Sequence, residues 1–171
     1  MTDRFPIRTR VLHWLTAVAV FAALLIGFTM TNQIGSHAAL VAVHMTLGIS
    51  ILVIVIVRAA NRFTHKPPKW PGTVGPLEGK LIAGSELAMY AMLLAQPLVG
   101  WAMVSASGTP VRAFGLTLPG PVPFDADLYG ILRQAHSVVA YLLVAAIAAH
   151  VSAILLHTLT LRDGMLRRMT H

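Results

Sequence analysis

Four long apolar stretches, separated by polar and proline-rich connectors, dominate the chain. They run from about Val11 to Met30, about Ala38 to Val57, about Leu81 to Val104 and about Ile131 to Leu161. A helix rises about 1.5 Å per residue, so each stretch is long enough to cross a hydrocarbon layer about 30 Å thick. Backbone in lipid must satisfy its own N–H and C=O groups. The pattern therefore predicts an all-α fold: a four-helix up-down bundle forming a single membrane-embedded domain over residues 1–171. The two longer connectors differ. Arg58 to Lys80 is basic and rich in proline, whereas Ser105 to Gly130 carries six prolines or glycines between Pro110 and Pro123 and reads as an ordered loop. Pro97 is expected to bend the third helix near mid-membrane. Gly27, Gly48 and Gly100 are small enough to let helices approach closely. The basic head and apolar run at the N-terminus resemble a secretion signal. That run is too long for a typical signal core and no A-x-A site follows, so an uncleaved first helix is expected.

Composition agrees with the pattern. Hydrophobic residues make up 56% of the chain and charged residues only 11%, with a mean hydropathy of +0.73; a soluble domain carries about 25% charged residues. The chain has no cysteine, which excludes disulfides, thiolate zinc sites and iron–sulfur clusters. A net charge of +7 would be compatible with nucleic acid, but the basic residues lie between the apolar stretches rather than on one patch. Their distribution sets topology instead. If the helices alternate, Arg4, Arg8, Arg10, Arg58, Arg62, Lys66, Lys69, Lys80, Arg162, Arg167 and Arg168 fall on one side, and only Arg112 and Arg133 on the other. The positive-inside rule then makes both termini cytoplasmic.

Against this apolar background the histidines stand out. Between Arg133 and Arg162 there is no charged residue, yet His136, His150 and His157 lie there. At about 100° per residue all three fall on one helix face, and His136 and His150 are about 21 Å apart along the axis. His13 lies about one turn inside the start of the first helix, and His44 about two turns into the second. Two histidines thus lie toward the outer side and three toward the inner side, on three helices, so opposed pairs are possible. Haem iron held by two axial imidazoles suits such pairs in a dry bundle, and a bis-histidine haem has no open coordination position, which suits electron transfer. Zinc fits less well, because it favours four close ligands and no carboxylate or thiol is near in sequence. A proton relay is the other functional reading; interhelical hydrogen bonding is the structural one. Depth alone leaves the inner partner of His13 open, since His157 is closer to its level than His150.

With Arg10-x-x-His13-Trp14 in the first helix, His44-x-x-x-Gly48 followed by Arg58 and Arg62 in the second, Pro97-x-x-Gly100 in the third, Phe114-Gly115-Leu116-Thr117-x-Pro119 in the outer loop and His136…His150…His157 in the fourth, the chain resembles the bacterial cytochrome b561 family over nearly its whole length. That family is related to the cytochrome b subunits of formate dehydrogenase and nickel hydrogenase, and it includes a superoxide oxidase type that reduces ubiquinone. The resemblance implies a multi-pass bacterial inner-membrane protein with two haem b groups: the cytoplasmic haem iron on His13 and His150, the periplasmic one on His44 and His136. It implies electron transfer across the membrane, oxidising superoxide on the periplasmic side and reducing ubiquinone (a superoxide:ubiquinone oxidoreductase). The alternative is an electron-transfer subunit between a periplasmic dehydrogenase or c-type cytochrome and the quinone pool. Glu86 stands where family members often have a histidine.

Three further residues are candidates for the chemistry. His157 is expected to give a proton or hydrogen bond to the quinone, since imidazole titrates in the right range; the competing role is an interfacial histidine meeting water. Arg133 and Arg112 are expected to meet haem propionates or to attract a small anionic donor; the competing role is pairing with Asp125 and Asp127. Arg58 and Arg62 are expected either at the inner propionates or as positive-inside anchors. Glu86 reads equally as facing the inner haem and as reaching Lys80. Trp14, Trp70 and Trp101 fit interfacial belts, the methionines read as packing, and His37, His65 and His171 as solvated.

Overall fold

The computed structural model describes residues 4–30, 37–64, 68 and 71–170. Four helices are long and apolar enough to cross a membrane: α1 (Ile7–Met30), α2 (His37–Thr64), α3 (Pro76–Ala106) and α4 (Ala126–Leu155), the last running on through a π-helical turn, Leu156–Leu161. Between α3 and α4 stand two short strands, β1 (Val111–Ala113) and β2 (Leu116–Leu118), and the chain ends in a single turn, α5 (Arg167–Thr170). The helices outrun the apolar stretches: α1 starts at Ile7, α2 continues to Thr64 and α3 begins at Pro76. Apolar runs mark only the hydrocarbon section, and a helix continues into the polar boundary wherever nothing stops it. The starts have local causes. Pro76 occupies the first turn of α3, where its missing N–H breaks no bond, and Glu78 in that turn meets the positive end of the helix dipole. Asp125 caps α4 by accepting a hydrogen bond from the Leu128 amide at 2.9 Å. Pro97 lies inside an uninterrupted α3. His65, Lys66, Lys69, Trp70 and His171 lie outside the described residues.

The burial pattern is that of a protein whose outer solvent is lipid. Large apolar side chains face outward along the helices, Leu25 at 70% exposure and Val18 at 66% among them. The buried apolar cluster shared by the four helices is a thin layer at mid-height: Val20 of α1, Ile51 and Val55 of α2, Leu93 of α3 and Leu143 of α4. The helices pack in chain order, α1 on α2, α2 on α3 and α3 on α4. Among the described residues, α4 has no comparable backbone packing on α1 or α2, and the space between them is bridged by side chains.

The loop between α3 and α4 is a β-hairpin, with Val111 opposite Leu118 and Ala113 opposite Leu116. Its two turn residues, Phe114 and Gly115, both have positive φ, 54° and 75°. That is the two-residue hairpin turn whose twist suits paired strands. Val111 and Ala113 are buried, packed toward α2, while Arg112 between them is exposed. Trp101 Nε1 donates to the Pro119 carbonyl at 3.1 Å, Ser105 Oγ donates to the Val122 carbonyl, and the Asp125 amide donates to the Ala106 carbonyl at 3.0 Å.

At the other end of the bundle the two chain ends meet. The Phe5 amide donates to the Arg168 carbonyl at 3.1 Å, and Trp14 Nε1 to the Met169 carbonyl at 3.0 Å. Below α4, His157 is buried at 3% exposure, with Nδ1 2.6 Å from Asp163 Oδ2 and Nε2 2.9 Å from Glu78 Oε1. Thr73 Oγ1 and the Met165 amide also donate to Asp163. This cluster joins the connector before α3, the start of α3 and the tail after α4. Burial of Asp163 opposes its ionisation, but the hydrogen bonds from His157, Thr73 and Met165 outweigh it and hold the carboxyl below the usual carboxylate range. A carboxyl with a lowered folded-state pKa adds stability that is present above its ordinary value, 3.8, and lost as pH falls through the folded value. Asp163→Asn is therefore expected to cost about 1–3 kcal/mol near neutral pH. Thermal unfolding followed by circular dichroism should show a lower midpoint for the variant, with the gap to the unsubstituted protein closing on acidification.

Candidate functional site

Two imidazole pairs bridge the space between the helices. The ring centroids of His13 (α1) and His150 (α4) are 6.3 Å apart, and those of His44 (α2) and His136 (α4) are 6.2 Å apart. Two imidazoles bound to opposite faces of one metal, with bonds of about 2 Å, bring their ring centres to about 6 Å. Leu143, only 2% exposed, lies seven residues from each of the two α4 histidines, so the buried apolar layer separates the pairs. Along α4 that separation is about 21 Å.

At the hairpin end, glycine makes room for each ring. A Cβ on Gly27 would lie 3.2 Å from His44 Cε1, and one on Gly100 would lie 3.0 Å from His136 Cε1. One nitrogen in each pair member, Nδ1 of His44 and Nδ1 of His136, is buried with no hydrogen-bond partner. These nitrogens face the backbone of α1 and α3 at Gly27 and Gly100, which leaves Nε2 of each ring on the side of its partner. The amide of Gln96 donates from Nε2 to the His136 carbonyl at 3.1 Å and lies 3.2 Å from the other ring nitrogen of His136. Beside these rings runs an apolar cleft lined by Met30, Met45, Gly48, Pro97, Gly100, Trp101 and Val111. Gly48 has nothing within 4 Å of where a Cβ would be, so the cleft has an open flat wall there. Among the described residues, no three His, Cys, Asp or Glu side chains cluster so as to hold a bare metal ion. A metal between these rings would need its remaining ligands from a macrocycle. Two opposed imidazoles at this spacing beside an apolar cleft suit a porphyrin that brings four nitrogens of its own.

At the termini end, Arg58 Nη2 donates to His13 Nδ1 at 3.0 Å, and the same guanidinium stacks over the Tyr90 ring at 5.2 Å. Trp14 meets His13 edge-on. Arg62 pairs with Glu86 at 3.0 Å, both partly exposed. Glu86 therefore reaches Arg62 rather than Lys80, and Arg62 is already matched by a carboxylate.

The other candidates fall apart from the rings. His157 shares the face of α4 but has both nitrogens engaged by Glu78 and Asp163, so it is neither a solvated interfacial histidine nor an open ligand. Arg112 and Arg133 are exposed at the hairpin end and, among the described residues, pair with neither Asp125 nor Asp127. His37 Nδ1 lies 3.1 Å from the Met30 carbonyl. Sequence reasoning missed Glu78, Asp163 and Gln96. Scarcity was the available signal for the carboxylates: with only six acidic residues in the chain, each one near a helix end has a basic or imidazole partner to be sought. For Gln96 the signal was an amide inside an apolar helix, one residue before Pro97.

Comparison with known proteins gives the chain a family. The model of the prokaryotic cytochrome b561 family matches residues 4–171. A probable superoxide oxidase CybB of Yersinia pestis is 29% identical over 127 residues, 74% of this chain and 72% of that protein. Cytochrome b561 homolog 2 of Escherichia coli K12 is 25% identical, covering 98% of this chain and 91% of its own length. Cytochrome b561 homolog 1 of the same strain is 24% identical, covering 98% and 97%. With a family match over nearly every residue and four membrane-spanning helices to carry it, this chain belongs to the prokaryotic cytochrome b561 family, the multi-pass electron-transfer cytochromes of the bacterial inner membrane.

Proposed function

We propose that the protein is a dihaem b-type cytochrome that oxidises superoxide on the periplasmic side and reduces ubiquinone. The observation that supports this most directly is the pair of opposed imidazole couples, 6.3 and 6.2 Å between ring centres, one toward each end of the bundle. In this reading His13 and His150 hold one haem, His44 and His136 the other, and the bound haems supply one-electron redox chemistry. The termini end, with its excess of arginine and lysine, is cytoplasmic and the hairpin end periplasmic. The balance is two superoxide anions, one quinone and two protons giving two dioxygen molecules and one quinol.

The chain's own residues supply the rest. Arg112 and Arg133 are exposed cations at the periplasmic end, on the side otherwise free of lysine and arginine, and they attract an anion toward His44 and His136. His157 is assigned to proton supply. Its two ring nitrogens each face a carboxyl oxygen, Asp163 on one side and Glu78 on the other, so a proton delivered to the ring has an acceptor on either side. Glu78 is 40% exposed and equilibrates with water, whereas His157 is sealed. The name of the Yersinia relative supports superoxide as donor. A periplasmic redox protein is the second donor class, favoured by the exposed apolar side chains of the hairpin, Phe114 at 67% and Leu116 at 66%.

Purified protein should contain two haems per chain by pyridine haemochrome. Alanine at His13, His44, His136 or His150 should lower that number, while His157→Ala should keep both and slow quinone reduction. Gly100→Val, which drives bulk against His136, should remove only the haem held at the hairpin end. Superoxide supplied to protein with ubiquinone should yield quinol. Arg112→Glu with Arg133→Glu should lower kcat/KM about tenfold or more, with the loss shrinking as salt rises. Quinol formed only when a periplasmic donor protein is added would select the second donor class.

A further inference from the structure

Two arginines near His13, Arg10 on its own helix and Arg58 on α2, have no carboxylate partner among the described residues. Arg10 lies one turn before His13 and about 60° from it around α1. Its Nε is buried with no hydrogen-bond partner. Arg58 has an acceptor only in His13 Nδ1 and a face in Tyr90; no carboxylate pairs with either arginine among the described residues. The neighbouring Arg62 differs, because Glu86 neutralises it.

The His13 bond of Arg58 depends on an unprotonated Nδ1. A neutral imidazole has one proton. While Nδ1 accepts from Arg58, that proton sits on Nε2. Were Nε2 to ligate a metal as neutral imidazole, the proton would sit on Nδ1, which would then donate, and Arg58 would lose its acceptor. Two partly buried cations would then be left at the edge of an apolar bundle, where an unpaired charge is costly. The group that removes the acceptor must bring a replacement, and a haem brings two carboxylates.

We infer that Arg10 and Arg58 bind the two propionate carboxylates of the cytoplasmic-side haem, one guanidinium to each, with Arg62 and Glu86 forming a self-neutralised pair outside them. This rests on the assignment of His13 and His150 as haem ligands. Planar guanidinium suits carboxylate as ammonium does not. The arginines are positioning residues: they orient the macrocycle and, as cations beside it, favour the reduced iron.

The test is a potentiometric titration of the haem α-band in the full-length protein in nanodiscs. The component missing from His13→Ala identifies the inner haem. Arg10→Gln and Arg58→Gln should each retain two haems and lower the inner haem's electron affinity about tenfold, about 59 mV for one electron. The outer haem should be unmoved. Arg10→Lys should recover most of the potential but not the propionate carboxylate band position in reduced-minus-oxidised infrared spectra. That band, followed with labelled propionates, reads the pairing in the unsubstituted protein and so stands even if a variant folds poorly. Unshifted potentials with both haems present, an infrared band typical of solvated carboxylate, or a change confined to KM for quinone would each overturn the inference. A count other than two haems in the unsubstituted protein would instead remove the haem assignment on which it rests.

Discussion

Imidazole is expensive inside hydrocarbon, and this fold sets four such rings facing one another in two couples. The rest of the structure follows from accommodating them. The helices that carry the couples stay apart, because rings and what lies between them need the space; the helices that do pack closely, α1 on α2 and α3 on α4, do so where glycine admits a ring edge. Gly27 with His44 and Gly100 with His136 are the same device used in each half of the bundle. Between the couples the apolar layer of Val20, Ile51, Val55, Leu93 and Leu143 keeps the interior dry.

The two ends are closed differently, and each closure suits the chemistry beside it. At the hairpin end a two-residue turn folds β1 back toward α2, and Val111 walls the cleft next to His44 and His136. Exposed arginines stand outside it. At the termini end, backbone bonds tie the chain's beginning to its tail, and the His157 cluster ties the tail to the start of α3. Glu78 is the partly exposed member of that cluster, and His157 and Asp163 are its buried members.

Much of this was legible in the sequence. Four apolar stretches and the lopsided lysine and arginine distribution specify a four-helix bundle, because lipid leaves the backbone so few alternatives. The fourteen-residue spacing of His136 and His150 put both rings on one face, since helical geometry converts spacing directly into direction. What the sequence left open depended on contacts across the bundle. Depth alone favoured His157 beside His13, yet the tail turns at Arg162, whose φ is 53°, and brings Asp163 back onto His157. A loop dense in proline and glycine hid a hairpin, because its strands are only three residues each and carry no usable alternation. Glu86 was ambiguous until Arg62 appeared opposite it on another helix.

The central claim is that each imidazole couple grips one iron from both sides. Low-temperature electron paramagnetic resonance of the oxidised protein tests it most directly. The account predicts two low-spin ferric signals of bis-imidazole type, of equal intensity per chain, one vanishing in His150→Ala and the other in His44→Ala. A single such signal, or high-spin iron with an open axial position in the unsubstituted protein, would contradict it.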